Sequence, residues 1–288
     1  MILGDYHLHS SISEDSDTPM EQQIEAGIAA GLKYMCFTEH MDRDFLNPVN
    51  SEVLRKYEPD LYAEGLKHRL FEPDMDAYME AVTSMREKYK DRIDVRFGIE
   101  YGLQPHLREH NEEFINSYPF DFVIGSQHLC DNMDVYYKEY FERYSEKEAY
   151  RNYFEQLLEN VTIFDNYDVL GHIDYVVRYG PNKNSNYRYS DYADVLEEIL
   201  KQVIRRGKGI EINTGGYRSL ENQPNPDASI LKRYRELGGE IITFGSDAHK
   251  PAGIAYEFER ARKLLVELKY EYYCVFKQRC PQFENLLL

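Results

Sequence analysis

The 288-residue chain contains no tryptophan, and its aromatic character rests on 26 tyrosines and 14 phenylalanines. Such rings suit half-wet surfaces and lids, where the ring packs and a hydroxyl reaches water. Cysteine is also scarce. Cys36, Cys130, Cys274 and Cys280 form no C-x-x-C pair, which excludes a thiolate-rich structural zinc site and fits free thiols in a reducing compartment. No apolar run approaches ~18 residues, so no spanning helix is expected. Met1-Ile2-Leu3-Gly4-Asp5 has neither the basic region nor the apolar stretch of a signal peptide, which makes the cytoplasm the expected compartment. A basic stripe is missing too. Against 51 acidic residues stand 34 Lys and Arg, a net charge of −17. Nucleic acid and anionic membrane are therefore not expected as partners. The same field repels small anions, so a phosphate site would need local positive charge from arginine or metal. No internal repeat or low-complexity segment occurs.

What is present is core material, with 42% hydrophobic and 30% charged residues. That composition and length fit one α/β domain of barrel size. Seven short apolar runs read as strands: 2–7, 34–40, 95–101, 120–126, 169–173, 209–213 and 240–245. Helical patterns lie between most of them. Thr18-Pro19-Met20-Glu21 has the form of a capping box, opening a helix that Gly31 ends. Asp74, Ser190 and the pair Pro226-Asp227 are further helix starts, the last helix stopping at Gly238-Gly239. Strand alternating with helix predicts parallel pairing, and seven units favour a closed or nearly closed barrel. Two long polar connections, about 41–94 and 129–168, follow strands and so rise over the face where barrels place their sites.

The histidines mark that face. Six of nine fall at strand ends: His7, His9, His40, His128, His172 and His249. Alternation puts His7 and His9 on one side of an extended segment, and Asp247-Ala248-His249 offers a carboxylate and an imidazole in the same way. Glu100 closes the third run. Imidazole with carboxylate suits zinc, iron or manganese. His106 and His110 share helical spacing in a polar segment and read as a solvated face; His68 reads as surface or lid.

Asp5-Tyr6-His7-Leu8-His9-Ser10, Thr38-Glu39-His40, Gly125-Ser126-Gln127-His128, Gly171-His172-Ile173-Asp174 and Gly245-Ser246-Asp247-Ala248-His249 follow one another in this order. The set resembles the polymerase and histidinol phosphatase (PHP) family, from about residue 2 to 250. Glu211-Ile212-Asn213-Thr214-Gly215-Gly216-Tyr217-Arg218, the two long insertions and the tail 272–281 resemble its histidinol-phosphatase branch. The resemblance implies a distorted seven-stranded TIM-like barrel spanning 1–288 as a single domain. It also implies three divalent metals. His7, His9, Glu100 and Asp247 would hold the first; Glu100, His128 and His172 the second; Asp15, His40 and His249 the third. Asp15 departs from the histidine common at that position.

Three divalent ions against Glu100, Asp247 and Asp15 leave a cationic site within an acidic protein, as a phosphate monoester requires. The expected nucleophile is a hydroxide held by the cluster, with Asp247 and His249 the nearest protein groups. Arg178 and Arg218, each shortly after a strand, are candidates for phosphate contact. Ser10 is a candidate for contact with a phosphate oxygen, Glu39 for orienting a ligand, for a cationic part of the substrate or for simply facing the helical layer, and Asp174 for support of a metal histidine. The leading expectation is hydrolysis of histidinol phosphate in histidine biosynthesis. Hydrolysis of another nucleotide or sugar phosphate is the alternative, and a non-catalytic metal-binding module is the alternative of a different class.

Overall fold

The computed structural model describes residues 1–220 and 222–287. Its strands are β1 (Gly4–Leu8), β2 (Tyr34–Phe37), β3 (His40–Met41), β4 (Asp94–Gly102), β5 (Phe122–Ser126), β6 (Leu129–Cys130), β7 (Met133–Asp134), β8 (Val169–Leu170), β9 (Gly209–Asn213), β10 (Ile242–Gly245), β11 (Tyr272–Lys277) and β12 (Cys280–Asn285). The helices are α1 (Met20–Ala29), α2 (Pro48–Tyr57), α3 (Pro59–Gly65), α4 (Met75–Tyr89), α5 (Arg108–Asn116), α6 (Lys138–Glu142), α7 (Glu146–Ile163), α8 (Ala193–Arg205), α9 (Gly216–Ser219), α10 (Ala228–Glu236) and α11 (Phe258–Glu267).

The main sheet runs β1-β2-β4-β5-β8-β9-β10, all parallel. These seven strands fall on the seven apolar runs. Parallel strands covered by helices are buried on both faces, which is why each reads as a nearly continuous apolar run. The ring nearly closes between β1 and β10. There Asp247 N–H donates to His7 O at 2.7 Å, His9 N–H donates to Ala248 O at 2.9 Å, and Ser246 N–H donates to Asp5 Oδ1 at 3.0 Å. The seam therefore joins the two segments that carry His7, His9 and Asp247.

The second run is not one strand. It breaks after Phe37, and the chain resumes as β3, where His40 stands opposite Glu100. Tyr78 of α4 stabilises the break, its single hydroxyl proton shared between Phe37 O at 2.8 Å and Gly98 O at 2.9 Å. The first insertion holds α2, α3 and α4; the second holds the β6–β7 hairpin, α6 and α7. Ser145 and Glu148 cap α7 reciprocally.

Two helix starts differ from the sequence pattern. Thr18 does not cap α1: no first-turn N–H donates to its hydroxyl, which instead donates to His249 O at 2.9 Å. Ser190 lies in a short 3₁₀ turn, Tyr189–Asp191, and α8 begins at Ala193. Asp74 and Asp227 do cap α4 and α10.

The β11–β12 hairpin covers the N-terminal ends of the barrel strands. Gln278 N–H donates to Asp121 Oδ1 at 3.0 Å, Arg279 Nε to Asp168 Oδ2 at 2.5 Å, and Lys277 stands 3.5 Å from Asp94. Asp94 opens β4, and Asp121 and Asp168 immediately precede β5 and β8. The tail thus serves the end opposite the one where His7, His9 and Asp247 lie. Among the described residues no helix is long and apolar enough to cross a membrane.

Tyr78→Phe should leave two buried carbonyls short of a donor. Losing such a hydrogen bond costs about 1–3 kcal/mol, or a melting temperature lowered by about 2–10 °C in a chain of this size. Thermal unfolding checks this, and an unchanged midpoint would show that the hydroxyl bears no weight at the β2–β3 break.

Candidate metal centre

Parallel strands deliver their C-terminal ends to one face. His7 lies within β1, His9 just past it, His40 on β3, Glu100 on β4, His128 after β5, His172 after β8, and Asp247 and His249 after β10. Their side chains meet in one cluster, with Asp15 joining from the loop after β1.

Glu100 stands at the centre and is wholly buried. Its Oε2 lies 3.1 Å from His7 Nε2, 3.6 Å from His9 Nε2 and 3.0 Å from His40 Nδ1. Its Oε1 lies 3.2 Å from His128 Nε2 and 2.9 Å from His172 Nε2, and accepts from Ser126 Oγ at 2.7 Å. Asp247 Oδ1 stands 3.7 Å from His7 Nε2 and 3.6 Å from His9 Nε2. Asp15 Oδ2 stands 3.4 Å from His40 Nε2 and 3.0 Å from His249 Nε2. The His9 ring is stacked between those of His40 and His249, with centroids 4.1 and 4.3 Å away. The structure thus brings together all nine residues of the three expected sets, including Asp15.

Two observations test whether these groups fit bound cations. First, His7 Nε2, His9 Nε2, His40 Nδ1 and Glu100 Oε2 are buried and make no hydrogen bond, although they face one another. Buried polar atoms without partners are rare, and a cation between them satisfies all four. Second, acceptors turned away from the cluster's centre occupy Nδ1 of three of the histidines. Glu211 Oε1 meets His7 Nδ1 at 2.6 Å, Asp42 meets His128 Nδ1 at 2.9 and 3.0 Å, and Asp247 O meets His249 Nδ1 at 3.2 Å. Each outer acceptor holds a proton on Nδ1 and leaves the Nε2 lone pair pointing inward, the arrangement of metal-ligating histidines.

The electrostatics agree. Burial alone would raise the Glu100 carboxyl, but His7, His128 and His40 outweigh it and hold the group well below the usual range. Burial favours neutral His7, yet Glu100, Glu211 and Asp247 drive its pKa well up. Burial together with His40 and His249 pushes His9 down to about 3, a neutral imidazole with a free lone pair. These carboxylates call for positive charge, whether protons or metal ions. Asp247 occupies the left-handed region at φ 55°, a conformation Asp tolerates better than most residues.

A cavity of about 490 Å³ opens above the cluster. Arg178 lines it, ion-paired to Asp247 Oδ2 at 3.1 Å and donating to Asn225 Oδ1 at 2.5 Å and Asn213 Oδ1 at 2.8 Å. The other three substrate candidates point elsewhere. Arg218 donates to Ser246 O at 2.7 Å and Asp247 O at 2.9 Å, gripping the backbone of the loop after β10. Glu39 is wholly buried and accepts from Ser10 Oγ at 2.5 Å and Ser13 Oγ at 2.6 Å, so Ser10 and Glu39 serve one another rather than the cavity. Ser13 in turn reaches His40 N–H at 3.1 Å. Asp174 accepts from Asn225 Nδ2 at 2.6 Å and Asp227 N–H at 2.8 Å, and so acts on Arg178 through Asn225. His106 and His68 form surface pairs with Asp44 and Glu14, and His110 bonds to Arg43 and Tyr101.

Sequence reasoning gave no role to Glu211, Asn213 or Asp42. Glu211 and Asn213 are two apart on β9, hence on one face, and Glu211 also accepts from His172 N–H at 3.1 Å. That buried acidic-polar alternation inside an apolar strand was the available signal. Asp42, two residues after His40, offered a weaker one.

The PHP domain profile matches residues 5–215. The histidinol-phosphatase of Lactococcus lactis subsp. lactis is 32% identical over 265 residues, covering 91% of this chain and 89% of that protein. A probable histidinol-phosphatase of Clostridium acetobutylicum is 33% identical over 263 residues, covering 91% and 92%. The crystal structure of the Lactococcus lactis histidinol phosphate phosphatase, complexed with zinc, L-histidinol and phosphate, has a TM-score of 0.83 at 29% identity and covers 97% of this chain and 98% of that one. A putative histidinol phosphatase of Listeria monocytogenes shares the fold, with a TM-score of 0.74 at 18% identity, covering 89% and 99%.

Glu211→Ala and Asp42→Ala each remove the acceptor that orients one histidine. Each should lower bound metal or activity about 10–100-fold. Elemental analysis of purified protein checks this, and full metal content with unchanged turnover would remove both residues from the centre.

Proposed function

The chain belongs to the PHP domain family, and on that premise we infer that it is a metal-dependent phosphomonoesterase converting L-histidinol phosphate to L-histidinol and phosphate. The observation that carries this reading is the buried ring of imidazoles and carboxylates with unpartnered atoms, lying beneath an open cavity. Relatives named histidinol-phosphatase, and a neighbour holding zinc, L-histidinol and phosphate, supply the substrate. We read residues 1–288 as one domain with two insertions. Its compartment in this reading is the cytoplasm, where its four unpaired cysteines stay reduced.

In this reading His7, His9, Glu100 and Asp247 hold one ion, Glu100, His128 and His172 a second, and Asp15, His40 and His249 a third. Bound zinc, iron or manganese would supply Lewis-acid charge to the phosphate oxygens and lower the pKa of a water to near 7. The chain's own residues do the rest. Glu211 and Asp42 fix the imidazole tautomers. Thr18 and Arg218 hold the carbonyls of His249 and Asp247, so the loop after β10 presents its ligands without rearrangement. Arg178 is the phosphate-orienting residue. Its fork is locked by Asn213 and Asn225, and its place in the cavity lining puts a planar donor beside the cluster. Preorganised donors of this kind stabilise the charge that develops on the transferring phosphoryl group.

Phosphate release from a panel of monoesters tests the reading. L-Histidinol phosphate should be preferred over nucleotide and sugar phosphates, and chelation should abolish turnover until divalent metal is restored. Negligible release from L-histidinol phosphate by metal-replete protein would reject the substrate. Arg178→Ala should reduce kcat/KM about 100-fold, as expected for losing a charge-assisted contact in the transition state. Wild-type kinetics in that variant would remove Arg178 from phosphate binding.

A further inference from the structure

The cavity above the cluster changes character away from the metal-binding residues. There it is lined by Asp134, Tyr136, Tyr137, Tyr175, Tyr179 and Glu58. A phosphate needs none of these. Two of the tyrosines, Tyr136 and Tyr137, come from the second insertion, and two lining residues, Asp134 and Glu58, are carboxylates facing a site meant for an anion.

Asp134 is held as firmly as the ligands. It lies opposite Leu129 in the β6–β7 hairpin that follows His128. Its N–H donates to Asn50 Oδ1 at 3.2 Å, and its carbonyl accepts from Tyr137 N–H at 3.2 Å. The next residue ties the hairpin back to the metal-binding segment, Val135 N–H donating to His128 O at 3.3 Å. In the side chain, Oδ1 accepts from Tyr136 N–H at 2.8 Å. Among the described residues no donor reaches Oδ2, and no lysine or arginine pairs with the group. Burial lifts this carboxyl to about 6, against the pull of the Tyr136 N–H and His128. A half-buried carboxylate without a counter-charge is costly to keep, and a cation brought into the cavity offsets that cost. Glu58, at the junction of α2 and α3, is exposed and carries no such constraint.

The tyrosines form a connected surface beside it. Tyr179 OH donates to Tyr175 OH at 3.2 Å, and Tyr136 meets Tyr179 and Tyr137 edge-on at 5.2 and 5.1 Å. Tyr175 lies against His172 and His128, with centroids 4.6 and 5.4 Å away. The wall therefore begins at the ligand histidines and runs outward to Tyr136, half of which is exposed. Such rings accept a flat heteroaromatic group and exclude water from its faces.

We propose that Asp134 is the specificity-determining residue of the cavity: it receives the primary ammonium of an amino-alcohol phosphate while Arg178 and the cluster take the phosphate, and the tyrosine wall takes the ring. This rests on the phosphatase reading above and adds to it the recognition of the substrate's positive end. A site built to pair a buried charge rejects an analogue that lacks it, because its own group is then left unpaired.

The test compares two substrates on the metal-replete enzyme: L-histidinol phosphate, and 3-(imidazol-4-yl)propyl phosphate, which lacks only the amine. Wild-type protein should prefer the first. Asp134→Asn should lower kcat/KM for L-histidinol phosphate about 10–100-fold, mainly through KM, and leave the des-amino ester within about threefold. Asp134→Glu should recover part of the preference, and Glu58→Gln should retain most of it. The ratio of the two substrates within one preparation does not depend on the fraction folded, so a poorly folding variant still reports. An equal loss for both esters would make Asp134 a support of the metal centre, and no loss for either would put the amine elsewhere; both overturn the proposal. Failure of the wild-type enzyme to hydrolyse L-histidinol phosphate would overturn the phosphatase reading itself.

Discussion

A carboxylate removed wholly from water is stable only if positive charge or hydrogen-bond donors surround it, and Glu100 is such a carboxylate. Five imidazoles and the Ser126 hydroxyl face its two oxygens within 2.7–3.6 Å. To assemble that shell, β1, β3, β4, β5 and β8 must all end at one level. The barrel provides this because parallel strands share a direction, and because β3 breaks from β2 to bring His40 level with Glu100. Much of the fold can be understood as the geometry that lets this one group be buried.

A second layer makes the first one rigid. Glu211, Asp42 and the Asp247 carbonyl each occupy the outer nitrogen of a candidate ligand histidine. Ser10, Ser13 and Glu39 form a buried knot beneath His9 and His40. Arg218 and Thr18 hold carbonyls of the loop after β10. Gly245 shows how closely this layer is packed: a Cβ there would overlap Glu211 Oε1 and press on His7 Cβ. The charged residues next to the cluster thus divide into those that could meet a substrate and those already spent on the ligands.

That division separates what could be read in the sequence from what could not. The seven strands were legible because each is a short apolar run buried on both faces. Six of the nine candidate ligands were legible because histidines at the ends of such runs have few other uses and share one face; Asp15, in a loop, came only with the family resemblance. The direction in which Arg218, Glu39 and Ser10 point was not legible. A charged or hydroxyl side chain beside a ligand can turn inward or outward, and only its tertiary partners decide. Thr18 shows the same limit at a helix start, since nothing local announces that the His249 carbonyl lies within reach. Glu211 and Asp42 were hidden for a related reason: each partners a histidine distant in the chain, so its role exists only once the barrel closes.

The protein carries a net charge of −17, and the cluster with its outer layer adds Asp15, Asp42, Glu100, Glu211 and Asp247 around a cavity where Arg178 is the only guanidinium among the described lining residues. Without bound cations, such a cavity repels a phosphate monoester, whatever its shape. In the reading proposed above three divalent ions would reverse its sign, and metal occupancy would then govern substrate affinity as well as chemistry. The reversal is local. Asp134 and Glu58 keep negative charge on the outer lining, and the cavity becomes positive at its floor and negative toward its rim. A substrate with phosphate at one end and ammonium near the other is oriented by that gradient before any contact forms, whereas a simple phosphate ester is drawn to the floor and repelled at the mouth. An acidic protein can in this way serve an anionic substrate, provided the substrate also carries a positive charge.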